Sequence, residues 1–102
     1  MDMKRLQKEI YRNKVDHNFN ITDVPLEFCL LSGEVAEAFD AWKKHRPDVG
    51  EELADVAIYL MGLAEILGVD LESEILRKVE INRKRVYGMV DGVFQRIDIS
   101  DQ

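Results

Sequence analysis

The chain has 102 residues, 46% of them hydrophobic and 33% charged, and its 14 Lys and Arg against 20 Asp and Glu leave a formal net charge of −6. That length predicts one domain, residues 1–102, with a modest monomeric core, because a chain this short buries only about two-thirds of the surface it exposes when unfolded. The acidic balance argues against binding a nucleic acid polymer or an anionic membrane, both held by Lys and Arg, yet leaves room for one small phosphorylated ligand gripped by local cations.

The opening "MDMKRLQKEIYRNK" is charged throughout and has no apolar h-region, so no signal peptide is expected. A first helix is predicted from about Asp2 to Val15, with Met3, Leu6, Ile10 and Val15 as its apolar stripe. "HNFNITD" reads as a loop. Asp23 can cap and Pro25 suits an early helical position, which starts a second helix at Val24 that runs to about His45. "HRPDVG" breaks it, and Asp48 then caps a third helix that stops at Gly68, near Leu67. "VDLESE" opens a fourth, from about Leu71 to Val86. Past Gly88 the pattern loosens, and "VFQRIDI" fits either an extended tail or a short strand.

The single Cys29 excludes an intrachain disulfide and fits a reducing compartment. The longest apolar stretch, "VAIYLMGLAEILGV", is interrupted by Glu65 and too short to span a bilayer, so the expected location is the cytoplasm. The third helix is apolar on nearly every side, and a helix of that kind must be covered all round. Gly62 inside it costs about 1 kcal/mol relative to Ala, which suggests close helix–helix approach. These features predict an all-α four-helix bundle completed by oligomerisation, the alternative being a tight monomer with a large exposed patch.

Four carboxylates stand where charge is costly. On the second helix Glu34 and Glu37 share a face with Leu30, Leu31, Ala38 and Ala41, and on the third Glu52 and Asp55 lie beside Val56, Tyr59 and Leu63. Both pairs have i, i+3 spacing, which puts neighbouring side chains about 5–6 Å apart. If the helices pack antiparallel across "HRPDVG", the pairs face each other. Two carboxylates 4 Å apart then repel by on the order of 4 kcal/mol at an effective dielectric near 20. A divalent cation removes that repulsion, and oxygen-only ligands select a hard ion, Mg²⁺ or Mn²⁺. Either motif alone would read as a surface pattern; together, on apolar faces, they read as metal ligands. A redox di-iron bundle supplies Glu-x-x-His, and neither His17 nor His45 follows a Glu by three.

On the fourth helix "KVEINRKRVY" sets Lys78, Asn82 and Arg85 along one stripe with Leu71 and Ile75. Two cations and an amide there make a phosphate clamp, with a solvated basic face as the plain alternative. Beside a carboxylate–metal cluster the clamp reads as a nucleotide polyphosphate site. Trp42 is a ring that can stack on a base and equally one that can pack in a core.

"GEVAEAFDAWKK", "EELADVAIYLMGLAEILGVDL" and "KVEINRKRVY", in this order over about residues 26–87, resemble the MazG-like all-α nucleoside triphosphate pyrophosphohydrolases, which include the dCTP pyrophosphatases. The resemblance implies Mg²⁺-dependent hydrolysis of a (deoxy)nucleoside triphosphate to monophosphate and pyrophosphate, by a dimer or dimer of dimers, with nucleotide-pool sanitising as the expected role. By position it makes Glu34, Glu37, Glu52 and Asp55 the metal ligands. It sets Lys78, Asn82 and Arg85 against phosphates or ribose with Tyr87 nearby, and Trp42 near the base.

There are departures. Gly33 stands where many relatives have a Glu that is a candidate general base, as it does in the dCTP pyrophosphatase branch; Glu51 is the substitute considered, with a plain surface role as its alternative. "VDHNFNITDV" lacks the aromatic and histidine arrangement associated with dCTP pyrophosphatase, so Phe19 and Asn20 are offered for a base pocket without a base being named. Two other readings stand beside this one: a phosphoribosyl-ATP pyrophosphohydrolase-like enzyme, and a non-catalytic self-associating bundle.

Overall fold

The computed structural model describes residues 1–97 and divides into two compact units, Met1–Leu71 and a second from Glu72 onward. Four helices appear in the expected order: α1 (Met3–Asp16), α2 (Val24–Lys43), α3 (Val49–Ile66) and α4 (Leu71–Lys84). The chain is thus mostly helical, and no helix among the described residues is long and apolar enough to cross a membrane.

In the first unit α3 packs against both α1 and α2. Its core is small: the buried apolar residues are Ala38 and Ala41 of α2 and Met61, Leu63 and Ala64 of α3. The face that α1 buries differs from the predicted stripe. Met3, Leu6 and Ile10 are half-buried, Val15 is exposed, and the fully buried residues are the polar Gln7 and Lys14. Each is admitted because its polar end finds partners. Gln7 Nε2 donates to the Val69 carbonyl at 2.7 Å and to Glu65 at 3.3 Å, while its oxygen accepts from the Leu71 amide at 3.4 Å, stapling the turn after α3. Lys14 Nζ reaches Glu27 Oε1 of α2 at 2.6 Å, with side-chain exposures of only 9% and 1%.

Gly62 is where α1 and α3 come close. A Cβ there would lie 3.0 Å from Lys14 Cε and 3.5 Å from Ile10 Cγ2. Lys14 cannot swing aside freely, because its ammonium is held by Glu27. Overpacking of about 1–3 kcal/mol, set against the roughly 1 kcal/mol that Ala gains in helix propensity, is therefore expected to leave Gly62→Ala less stable by up to about 2 kcal/mol. Urea denaturation reads this directly, and a more stable variant would contradict the close approach.

The caps are half as expected. Asp23 accepts from the Leu26 amide at 3.0 Å and starts α2. Asp48 occupies the N-cap position of α3 but makes no side-chain cap bond. Its carboxylate is taken instead by the Arg46 guanidinium, through Nε at 3.1 Å and through Nη2, a charge-assisted fork that outcompetes a neutral amide. Just past the end of α2, His45 takes a left-handed backbone, φ 57°.

In the second unit α4 stops at Lys84, short of the predicted Val86, and the Arg85 amide closes a turn onto the Asn82 carbonyl at 3.2 Å. Arg85 thus lies past the helix, and the helical stripe proposed for it with Lys78 and Asn82 ends at Asn82. An antiparallel hairpin comes next, β1 (Tyr87–Val90) and β2 (Val93–Arg96), with Met89 opposite Phe94. Its two-residue turn, Asp91–Gly92, takes φ values of 51° and 79°, the left-handed pair that matches strand twist. "VFQRIDI" accordingly begins as a strand, and its last two residues lie outside the described ones.

A candidate metal centre between two helices

The chain reverses through residues 44–48, so the end of α2 and the start of α3 lie side by side. Spacing then decides which side chains meet. Glu34 and Glu37 project from one face of α2 and Glu52 from the first turn of α3, and one oxygen from each lies within 4.8 Å of the others. Glu37 is exposed, whereas Glu34 and Glu52 are partly buried. Glu34 Oε2 and Glu52 Oε2 are shielded from solvent and have no hydrogen-bond partner. A buried carboxylate oxygen left unsatisfied is costly. Here two of them belong to one acidic cluster, an oxygen-only donor set that fits a hard divalent cation.

The electrostatics agree. Burial raises the Glu34 pKa above its ordinary 4.5, and repulsion from Glu37 and Asp55 raises it further. Burial also raises Glu52, helped by Glu37, Asp48 and Asp55 and partly opposed by Arg46. Asp55 is not one of the three converging residues, but its charge bears on both buried acids. A raised carboxylate binds a proton more readily in the folded chain than in the unfolded one. The metal-free protein should therefore gain from these groups as pH falls from neutral toward 4.5. Asp48, held low by Arg46, works the other way and loses its contribution only as pH falls below its ordinary 3.8. Thermal melts between about pH 5 and 7 should show stability rising toward acid, with saturating Mn²⁺ flattening the trend. A melting temperature that falls over this window without metal would contradict the crowded cluster.

An open cleft of about 380 Å³ adjoins the acids, lined by Ala36, Glu37, Asp40, Arg46 and Glu52. Tyr59, one turn beyond Asp55 on α3, has its phenol pushed above 10.0 by burial first and then by Glu34, Glu27, Asp55 and Glu37, which places it beside the cluster. Sequence reasoning assigns no site role to Arg46 or Tyr59. The available signal for Tyr59 is its i+4 spacing from Asp55; for Arg46 there is none, since its role depends on the turn's path.

The remaining expected residues are distributed more widely. Glu51 is exposed and outside the converging trio. Trp42, 63% exposed and stacked on Phe39 at 6.1 Å, lines an apolar groove of about 370 Å³ with Val35, Leu53 and Val56 rather than the acidic cleft. Asn20 is consumed locally: its oxygen accepts from the Asp23 amide at 3.0 Å and its amide donates to Glu27 at 3.1 Å, so it holds the start of α2. Phe19 lines a small cavity of about 80 Å³ with Lys14 and Tyr59. In the second unit Lys78 and Asn82 are exposed one turn apart on α4, Arg85 lies just past the helix, and Tyr87 on β1 stacks with Phe94 at 5.9 Å.

Three carboxylates converging from two adjacent helices of a mostly helical chain make a candidate oxygen-ligand metal centre. The MazG-like family model matches residues 26–92, a span that includes Glu34, Glu37, Glu52 and Asp55, and the chain belongs to that family. Human dCTP pyrophosphatase 1 is 42% identical over 65 residues, covering 52% of this chain and 38% of that protein. The dATP/dGTP diphosphohydrolase of cyanophage S-2L is 38% identical over 72 residues, covering 70% of this chain and 66% of the phage protein. The chain therefore spans well under half the length of the mammalian relatives it matches. In structure it resembles the cyanophage S-2L MazG-like pyrophosphohydrolase bound to dGDP and three catalytic Mn²⁺ ions per active site. The TM-score is 0.74 at 29% identity, over 96% of this chain and 99% of that one.

Proposed function

We propose that this chain is a divalent-metal-dependent pyrophosphohydrolase that cleaves a (deoxy)nucleoside triphosphate to the monophosphate and pyrophosphate. The observation that carries the reading is the convergence of Glu34, Glu37 and Glu52, two of them with orphaned buried oxygens, in a member of this family. Glu34, Glu37, Glu52 and Asp55 would hold Mg²⁺, with Mn²⁺ as a substitute. The bound cation supplies positive charge to the phosphate oxygens and Lewis acidity toward water.

The chain's own groups supply the rest. In the reaction a water oxygen bonds to the α-phosphorus, the bond from that phosphorus to its bridging oxygen breaks, and the electron pair leaves on pyrophosphate. Lys78, Asn82 and Arg85 are assigned to phosphate or ribose contacts with Tyr87 nearby, Trp42 to the base, and Glu51 to accepting the water's proton. The family match crosses both compact units, which supports treating residues 1–102 as one functional domain. Val35, Phe39, Trp42 and Leu53 form an exposed apolar face on α2 and α3, which supports a homo-oligomer, dimer or tetramer. The acidic charge and the free Cys29 support a cytoplasmic role in nucleotide-pool sanitising, without nucleic acid or membrane partners.

The test is product analysis after incubating the purified protein with a panel of nucleoside triphosphates, with Mg²⁺, with Mn²⁺ and with EDTA. Monophosphate plus pyrophosphate, lost in EDTA, is the expected result and names the preferred base. Diphosphate plus phosphate would overturn the α-phosphorus assignment. No turnover of any triphosphate would favour phosphoribosyl-ATP as substrate or a non-catalytic bundle.

A further inference from the structure

We propose that Arg46 binds the β- and γ-phosphates of the substrate and stabilises the departing pyrophosphate; this rests on the hydrolase reading above. Arg46 stands at the rim of the acidic cleft, its guanidinium aimed by Asp48, which engages Nε and Nη2 on one edge. The opposite side is loosely engaged: Nη2 lies 3.7 Å from Glu52 Oε1 and Nη1 lies 3.9 Å from Asp40 Oδ2. Both separations are beyond a hydrogen bond, so Nη1 donates to nothing among the described residues. A planar fork fixed on one edge and open on the other, facing a cleft of about 380 Å³, is preorganised for phosphate oxygens.

Direction along the cleft says which phosphates. The acids on α3 run Glu52, Asp55 and then Tyr59, away from the turn that carries Arg46. At the Tyr59 end lies the small cavity lined by Ile10, Phe19 and Ile58. The carboxylates thus lie between Arg46 at one end and, at the other, a pocket in which Phe19, Tyr59, Ile10 and Ile58 stand beside the polar Asn13 and the ion-paired Lys14. A nucleotide has the same polarity, with a base at one end and the most anionic phosphates at the other; this orientation sets the base at Phe19 in place of Trp42, which lies at the Arg46 end of α2. With the attacked phosphorus at the carboxylates, the leaving group falls on Arg46. Before substrate arrives, Arg46 offsets part of the repulsion at Glu52. A cation held by Glu52 would weaken that attraction and leave the far edge of the guanidinium to phosphate oxygens, with Asp48 still holding the near one.

The test compares wild type with Arg46→Gln and Arg46→Lys by calorimetry of pyrophosphate and of a nucleoside monophosphate in saturating Mn²⁺, together with the kinetics. In Arg46→Gln, pyrophosphate affinity is expected to fall roughly 10- to 100-fold with monophosphate affinity unchanged, and KM for the triphosphate to rise. Arg46→Lys keeps the charge without the fork and should fall between the two. Mn²⁺ should bind Arg46→Gln more tightly, because a competing cation at Glu52 is gone. A residue that only staples the turn through Asp48 would leave the pyrophosphate-to-monophosphate affinity ratio untouched in both variants, and that result overturns the proposal. The two readings fail separately: a wild type that binds pyrophosphate through Arg46 but turns over no triphosphate sinks the hydrolase reading alone.

Discussion

Replacing Lys14 by methionine is expected to cost about 3–5 kcal/mol of stability, because it leaves the Glu27 carboxylate buried without its cation. Small domains are stable by only about 5–15 kcal/mol, so this one change brings the chain close to unfolding. The ammonium also sits 5.1 Å from the Tyr59 ring centroid, and its stem lies on Gly62, so the pair ties α1, α2 and α3 together at one point. The cost comes from the orphaned charge, and the second substitution shows it. A buried pair replaced by apolar groups of similar volume is often neutral or better. Lys14→Met with Glu27→Met should therefore recover most of the loss in urea denaturation. A double variant no more stable than Lys14→Met would mean that packing, and not the unpaired carboxylate, sets the cost.

Glu52→Gln is expected to separate metal from fold. In the metal-free protein it removes one of the crowded negative charges, so stability should hold or rise; its loose contact with Arg46, at 3.7 Å, is worth little. The stabilisation that Mg²⁺ or Mn²⁺ confers on the wild type should shrink or vanish, since a ligand stabilises only in proportion to its occupancy of the folded state. Turnover should fall by roughly a hundred- to a thousandfold, the scale seen when a group that stabilises charge at a reacting centre is lost. Thermal melts with and without metal read the first two effects, and product assays the third. A Glu52→Gln protein that is destabilised without metal and still stabilised by it would identify Glu52 as an interhelical salt-bridge residue.

Why the acids are legible in the sequence and the buried polar residues are not is a matter of distance along the chain. Glu34 and Glu37, like Glu52 and Asp55, lie three apart on one helix, so helix geometry alone puts each pair on one face, and a short turn leaves the helices little choice but to lie side by side. Lys14 gives no such signal. Its partner Glu27 is on another helix, and until the helices pack it looks like a solvated lysine. Gln7 is similar: it is buried because a carbonyl at Val69 and an amide at Leu71 await it after the α3 turn. The predicted stripe on α1 errs by assuming that only apolar side chains face inward.

The hairpin is a different case, since its signal is present. Asp91–Gly92 between Val90 and Val93 is a strong short-range mark of a tight turn, and weighting it would end α4 early and free Arg85 from the helical stripe. Asp48 does stand at the start of α3, but a cap position does not guarantee a cap bond when an arginine two residues away offers a stronger one.

Hydrolysis in ¹⁸O-labelled water shows which phosphorus the water attacks. With Mg²⁺ and the preferred triphosphate, attack at the α-phosphorus leaves one ¹⁸O atom in the nucleoside monophosphate and none in the pyrophosphate, with turnover abolished by EDTA. Label in the pyrophosphate or in free phosphate, or turnover that survives removal of the metal, would contradict it.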